Sequence, residues 1–218
     1  MNRDFELKTG GHPQAALLAS LAARASRNVE VADLRQLVAR YWQEPIPVQD
    51  IAGTIVCMQC PSWAVYPNLS ADVTFLARAL GAYVDPWASH AALVLLDGPD
   101  AALKLAMELR NLTSDIRLHV GMGTGTCHLA RIRCSGQELH VLVGKVADEA
   151  AAACALTPAG TFRMSSTTFE GLSDQAASLD ACMLQTEYEG EHVAAISVTP
   201  PPRKGGEQLS SFAGLGLM

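Results

Sequence analysis

Residues Leu118–Leu156 read LHVGMGTGTCHLARIRCSGQELHVLVGKVADEAAAACAL. The stretch holds two β-like runs, a polar hairpin between them, and then an alanine-rich helix. Gly121-Met-Gly-Thr-Gly125 is dense enough in glycine to be expected as a turn, and Val143-Gly144-Lys145 joins strand to helix. A glycine turn and a lysine at a helix start together suggest a phosphate site. Neither piece matches a standard phosphate motif, however. The glycine run lacks the last glycine of a dinucleotide fingerprint. Leu139 stands where a Walker A loop needs its first glycine, and Val146 follows the lysine instead of Ser or Thr. The helix beyond carries almost no group able to do chemistry. The stretch therefore poses a choice between a nucleotide site and the shell of one.

Upstream, Ile51–Cys60 is expected as a strand and Ala71–Leu80 as a helix closed by Gly81. Tyr83–Asp85 and Ala91–Leu96 read as a hairpin of two strands. Ala101–Asn111 reads as a helix, with Asp100 as its N-cap. Ile116–Gly121 alternates as a strand, and Cys127–Arg133 and Leu139–Val143 follow as further strands or extensions. Ala147–Leu156 is the alanine-rich helix. Gly160–Ser165 is a short strand, Thr167–Gly171 a helical turn, and Gln185–Tyr188 with His192–Val198 a closing hairpin. The order β-α-β-β-α-β predicts an α+β, ferredoxin-like sandwich, with helices on one face of a mainly antiparallel sheet. Before it, residues 1–50 are expected as an N-terminal helical extension, with helices over 13–25 and 28–42 ended by Glu44-Pro-Ile-Pro47. The main domain spans 51–199. The proline- and glycine-rich residues 200–218 are expected as a disordered tail.

The chain has 218 residues, 49% of them hydrophobic, which is ample for a core. A net charge of −6 provides no electrostatic footprint for nucleic acid or an anionic membrane. Its longest apolar runs are too short to span a bilayer, and residues 1–10 have no signal-peptide core, so a cytoplasmic protein is expected. The cysteines are spread along the chain and read as small core residues. Cys57-x-x-Cys60 has the spacing of half a zinc site or a redox pair. It closes a strand and precedes Pro61, unlike a redox pair, which opens a helix. On a strand the two thiols point to opposite faces, so both are expected reduced and buried. Alternation would allow His119, His128 and His140 to share a sheet face, but they read as surface or satisfied histidines.

Four stretches in order resemble the class III nucleotidyl cyclase domains of adenylyl and guanylyl cyclases. The resemblance covers about residues 51–198. Ile116–Gly125 is similar to the family's strand and glycine turn, and Val143–Ala152 to the start of its catalytic helix. Thr157–Ser165 is similar to the following strand. Phe75–Val84 is similar to the helix that leads into the metal hairpin.

The resemblance implies a reaction that uses two metal ions held by two aspartates. In this chain Gln59 takes the first aspartate position, with Pro61 in the loop that presents backbone N–H groups to phosphate. His90 takes the second, with Ser89 before it and Pro86 at the base-reading lysine. On the helix, Asp148 stands for the ribose-orienting asparagine and Ala152 for the transition-state arginine. Neutral amide and imidazole are poor ligands for magnesium, and an arginine clamp is a large part of phosphoryl-transfer catalysis. A catalytically inactive cyclase-homology domain is therefore expected, with no metal or other cofactor. It would act as an interaction or regulatory module in signalling. Family domains pair head to tail, so the expected partner is a second copy, or another cyclase-like or signalling protein, with Trp87 and Ala152 at the interface. The other open reading is a nucleotide or small-ligand sensor held by Lys145, Gly144 and Gly125.

Overall fold

The computed structural model describes residues 48–60, 69–88, 91–112, 118–134, 137–158, 160–173, 179–188 and 191–199. The expected N-terminal helices and the tail over 200–218 lie outside them, as do Pro61, Ser89 and His90. Strand β1 (Val48–Gln59) begins ahead of the expected Ile51 and leads to helix α1 (Leu69–Ala79). Strands β2 (Tyr83–Ala88) and β3 (Ala91–Leu96) form the expected hairpin, and helix α2 (Pro99–Leu112) follows. Next come β4 (His119–Cys134), β5 (Gln137–Val143) and α3 (Lys145–Ala155). The chain continues through β6 (Phe162–Met164), α4 (Ser166–Glu170), β7 (Asp180–Tyr188) and β8 (Glu191–Thr199).

All the described strands join one 8-stranded sheet of order β2-β3-β1-β4-β6-β8-β7, with β5 paired to β4 beside that path. The first four strands in that order are the βαββαβ arrangement read from the sequence. Every pairing is antiparallel except β4 with β6.

Strand alternation sorts the core onto two faces. Val56 and Met58 of β1, Val94 of β3, Val120 and Met122 of β4, and Phe162 of β6 point to one side. There they meet Leu69, Val73 and Leu76 of α1 and Leu105 and Leu109 of α2. Helix α1 buries that row at helical spacing and leaves Asp72 and Arg78 exposed, where each charge complements its end of the helix dipole. Its end is a Schellman turn: Gly81 has φ +66, the Ala82 N–H bonds Ala77 O, and the Gly81 N–H bonds Arg78 O. Ile55, Cys57, Leu93, Leu95 and Leu129 point to the other side and meet Val146, Ala147, Ala150 and Cys154 of α3. The helices therefore do not all lie on one face, as the sequence led us to expect: α3 crosses to the second. The reason is the odd-numbered residues of β1 and β4, which leave that face as apolar as the first.

Two local expectations also change, and one arrangement that alternation allowed does not form. Gly121–Gly125 is the interior of a strand and not a turn. All five residues pair with β1, from Gly121 opposite Cys57 to Gly125 opposite Gly53, so the two runs around it are one 16-residue strand. Asp100 lies within the first turn of α2 instead of capping it. Its carboxylate accepts from the Ser173 N–H at 3.1 Å and hydroxyl at 3.0 Å, while the Ala102 N–H goes to Gly98 O. His119 and His128 fall on opposite faces, because the β1–β4 ladder runs without a bulge and odd and even residues stay on separate sides.

Candidate functional site

The glycine run and the alanine-rich helix explain each other. A Cβ placed on Gly121 would stand 2.2 Å from both Ala150 O and Cys154 N. One on Gly123 would stand 2.9 Å from Val146 O. The backbone of α3 thus lies directly on the backbone of β4, which requires glycine below and small residues above. Ala147, Ala150, Ala153 and Cys154 are accordingly buried. The composition that suggested a phosphate turn serves close helix–sheet contact.

At the start of α3, Gly144 has φ +108 and caps the helix without a side-chain hydrogen bond. Gly125 lies beneath Val146, where a Cβ would come within 2.9 Å of Val146 Cγ2. Gly125, Gly144 and Lys145 are therefore brought to one corner. His128 joins them, its Cδ2 3.2 Å from where a Gly144 Cβ would sit. His128 Nδ1 lies 2.6 Å from Asp50 Oδ1. Lys145 is 88% exposed and pairs with Glu149 at 3.6 Å, one helical turn on. Asp148 is exposed on the outer side of α3. Ala152 is only 5% exposed, so this chain already covers most of it.

Gln59 ends β1 half-buried, between Ala91 of β3 and His119 of β4. Pro86 and Trp87 are residues of β2, and its pairing with β3 shifts register between Asp85 and Ala88. A two-metal centre wants several anionic oxygens. Gln59 supplies a neutral amide. The Asp85 carboxylate is fully buried and accepts the Leu142 N–H at 2.9 Å, where it ties β5 to β2. The described residues around the end of β1 do not fit a carboxylate-held metal pair.

Sequence reading missed two features of this face. Asp85 is one, although its place two residues after Tyr83, on the same side of β2, hinted at an inward position. The other is a cluster of Tyr83, Arg131 and His140. Arg131 Nη2 donates to the Tyr83 hydroxyl at 3.1 Å, and His140 meets the Tyr83 ring edge-on at 5.3 Å between centroids. No sequence signal announces it, since the three residues come from three strands.

The Cys57-x-x-Cys60 pair divides as expected. Cys57 joins the α3 face, Cys60 the α1/α2 face, and both are buried thiols. Burial pushes the Cys127 thiol up to about 11. Cys57 is held well above the ordinary thiol range, first by its hydrogen bond with Cys154 and then by burial.

No protein-family model and no curated protein sequence matches the chain. Solved structures do. The adenylyl cyclase CyaB from P. aeruginosa superposes with a TM-score of 0.59 at 14% identity, over 74% of this chain and 100% of that one. The catalytic core of a rhodopsin-guanylyl cyclase with converted specificity, in complex with ATPαS, gives 0.58 at 14% identity, over 71% and 98%. The fold is that of a nucleotidyl cyclase catalytic domain. An adenylate cyclase from Trypanosoma brucei, solved in its monomeric state, shares this cyclase fold with a TM-score of 0.53 at 18% identity, over 74% and 92%. Among the described residues, no helix of this cyclase-like domain is long and apolar enough to cross a membrane.

Proposed function

We propose that this chain is a cyclase-fold domain that no longer cyclises nucleotides and acts as a protein-interaction module in intracellular signalling. The cyclase unit is assigned to residues 48–199, because β1 begins at Val48 and not at Ile51. One observation carries the reading. The helix that corresponds to the catalytic helix, α3, keeps its packing face intact and offers solvent Lys145, Asp148 and Ala155. Lys145 is tied to Glu149, and neither Asp148 nor Ala152 can stabilise charge developing on a triphosphate. Gln59 at the end of β1 and His90 in the next hairpin complete the loss of the metal carboxylates. The partner is a second copy or another cyclase-like chain, met across the former catalytic face, with Trp87 and the outer row of α3 as contacts. Because Ala152 is buried, Asp148→Arg is the cleaner probe of that row.

A second reading has its own support: Gly125, Gly144, Lys145 and His128 gather at the start of α3, where an anion would find backbone N–H groups and the exposed Lys145, in competition with Glu149 and Asp50. Thermal unfolding with millimolar ATP, GTP or cyclic nucleotide, with and without Mn²⁺, separates the two. An interaction module shows no shift. A sensor shows a saturable rise in melting temperature that Lys145→Ala removes.

A further inference from the structure

Cys57 and Cys154 form a buried dithiol across the contact between α3 and the sheet. Cys57 on β1 is the register partner of Gly121 on β4, and Cys154 lies on top of Gly121. A Cβ on that glycine would be 2.2 Å from Cys154 N and 2.8 Å from Cys154 Cα. Cys154 is thus offset from Cys57 by one strand spacing, ~4.8 Å, along the sheet and by the helix–sheet contact above it, a close approach of the kind that a disulfide needs. Both side chains belong to the same apolar cluster, and both residues are buried, at 2% and 0% exposure. Cys154 Sγ donates to the His119 carbonyl at 3.3 Å, and the Cys154 thiol is the first cause that holds the Cys57 thiol above its ordinary range. Cys60 faces the opposite side of the sheet. Cys127 lies further along β4, bonded to Ile51 O at 3.5 Å.

We propose that this dithiol is an oxidative modification site: a small peroxide-class oxidant converts it to a Cys57–Cys154 disulfide that staples α3 to β1. In the first step one sulfur, as thiolate, attacks a peroxide oxygen. The O–O bond breaks, and a sulfenic acid and an alcohol (water, from hydrogen peroxide) result once the released oxygen takes the thiol proton. In the second, the other sulfur attacks the sulfenic sulfur. The S–O bond breaks, and the hydroxyl leaves as water with the second thiol proton. Two thiols are oxidised by two electrons and one peroxide is reduced. Burial keeps the thiolate scarce, so the reaction waits on α3 lifting and runs more slowly than oxidation of the exposed Cys182. Once formed, the bond closes a long loop and resists separation of the helix from the sheet. This inference stands apart from the proposed function and does not depend on it.

The experiment treats the folded, full-length chain with hydrogen peroxide, blocks the remaining thiols, and maps disulfides by mass spectrometry of a non-reduced digest. The expected result is a Cys57–Cys154 peptide pair that appears after Cys182 has reacted. It should come with a melting temperature raised by several degrees and reversed by dithiothreitol. Cys60→Ser and Cys182→Ser should leave the pair intact, and Cys154→Ser should abolish both the pair and the rise. The wild-type map decides even if Cys154→Ser does not fold. A folded protein whose Cys182 is oxidised while Cys57 and Cys154 stay as thiols overturns the proposal. So does a Cys57–Cys60 bond, or a Cys57–Cys154 bond found only in urea-unfolded chain.

Discussion

Gly121 and Gly81 are the same residue kept for different physical reasons. At Gly121 the conflict is with backbone atoms of α3, 2.2 Å from a would-be Cβ, and backbone cannot rotate away. Gly121→Ala should therefore cost about 3 kcal/mol or more, the upper range for forcing extra volume into a packed interior. At Gly81 nothing lies within 4 Å, and the φ of +66 is the whole constraint. Gly81→Ala should cost only ~1–2 kcal/mol, the strain of an L-residue in the left-handed region. Urea unfolding of the two variants beside wild type measures both. Equal losses would mean that α3 does not rest on β4 as described. The sequence announced Gly81 plainly, because it follows an amphipathic run at a helix end. Gly121 was misread, because glycine marks a turn and a close approach with the same letter, and only the partner helix tells them apart.

At the scale of elements, periodicity was a sound guide where one face was polar. Helix α1 stands where helical spacing put it, and the closing β7–β8 hairpin where alternation did, with β7 beginning at Asp180, ahead of the expected Gln185. It misled where both faces are apolar or featureless. The 16-residue β4 was divided at its glycines, and α3 was placed with the other helices, because nothing in an alanine-rich helix says which side of a sheet it covers. The hairpin of β4 and β5 was legible, but the tie of β5 to β2 was not, because it runs through one buried side chain from a distant strand. Asp85 accepts the Leu142 N–H inside the protein, and a buried acceptor removed leaves its donor without compensation. Asp85→Ala should lower stability by about 1–3 kcal/mol. Hydrogen exchange should show faster exchange at Leu142, with the α1/α2 face little changed. Unaltered protection at Leu142 would show that β5 is held by β4 alone.

For the whole molecule, the order of elements carried the fold, and the proposed loss of the site rests on the resemblance. The βαββαβ order was enough to predict the sheet, since few topologies satisfy it. The site could be read only by resemblance, because Gln59 and Ala152 have little chemistry of their own and Asp148 is one exposed carboxylate among many. They become informative when their positions are compared with what a cyclisation reaction needs. The structure adds that α3 holds its packing face with close backbone contact while its outer face lacks a free cation among the described residues. On the proposed reading the fold outlasts the chemistry, because the residues that pack α3 on the sheet are not those that would act on a nucleotide. The most direct test of that claim is a cyclase assay on purified full-length protein, with ATP and GTP in turn, in Mn²⁺ and in Mg²⁺. The account predicts cyclic nucleotide no higher than in a blank without protein, at every protein concentration tried. Sustained formation of cyclic AMP or cyclic GMP that rises with protein concentration and is lost in Gln59→Ala or Asp148→Ala would contradict it.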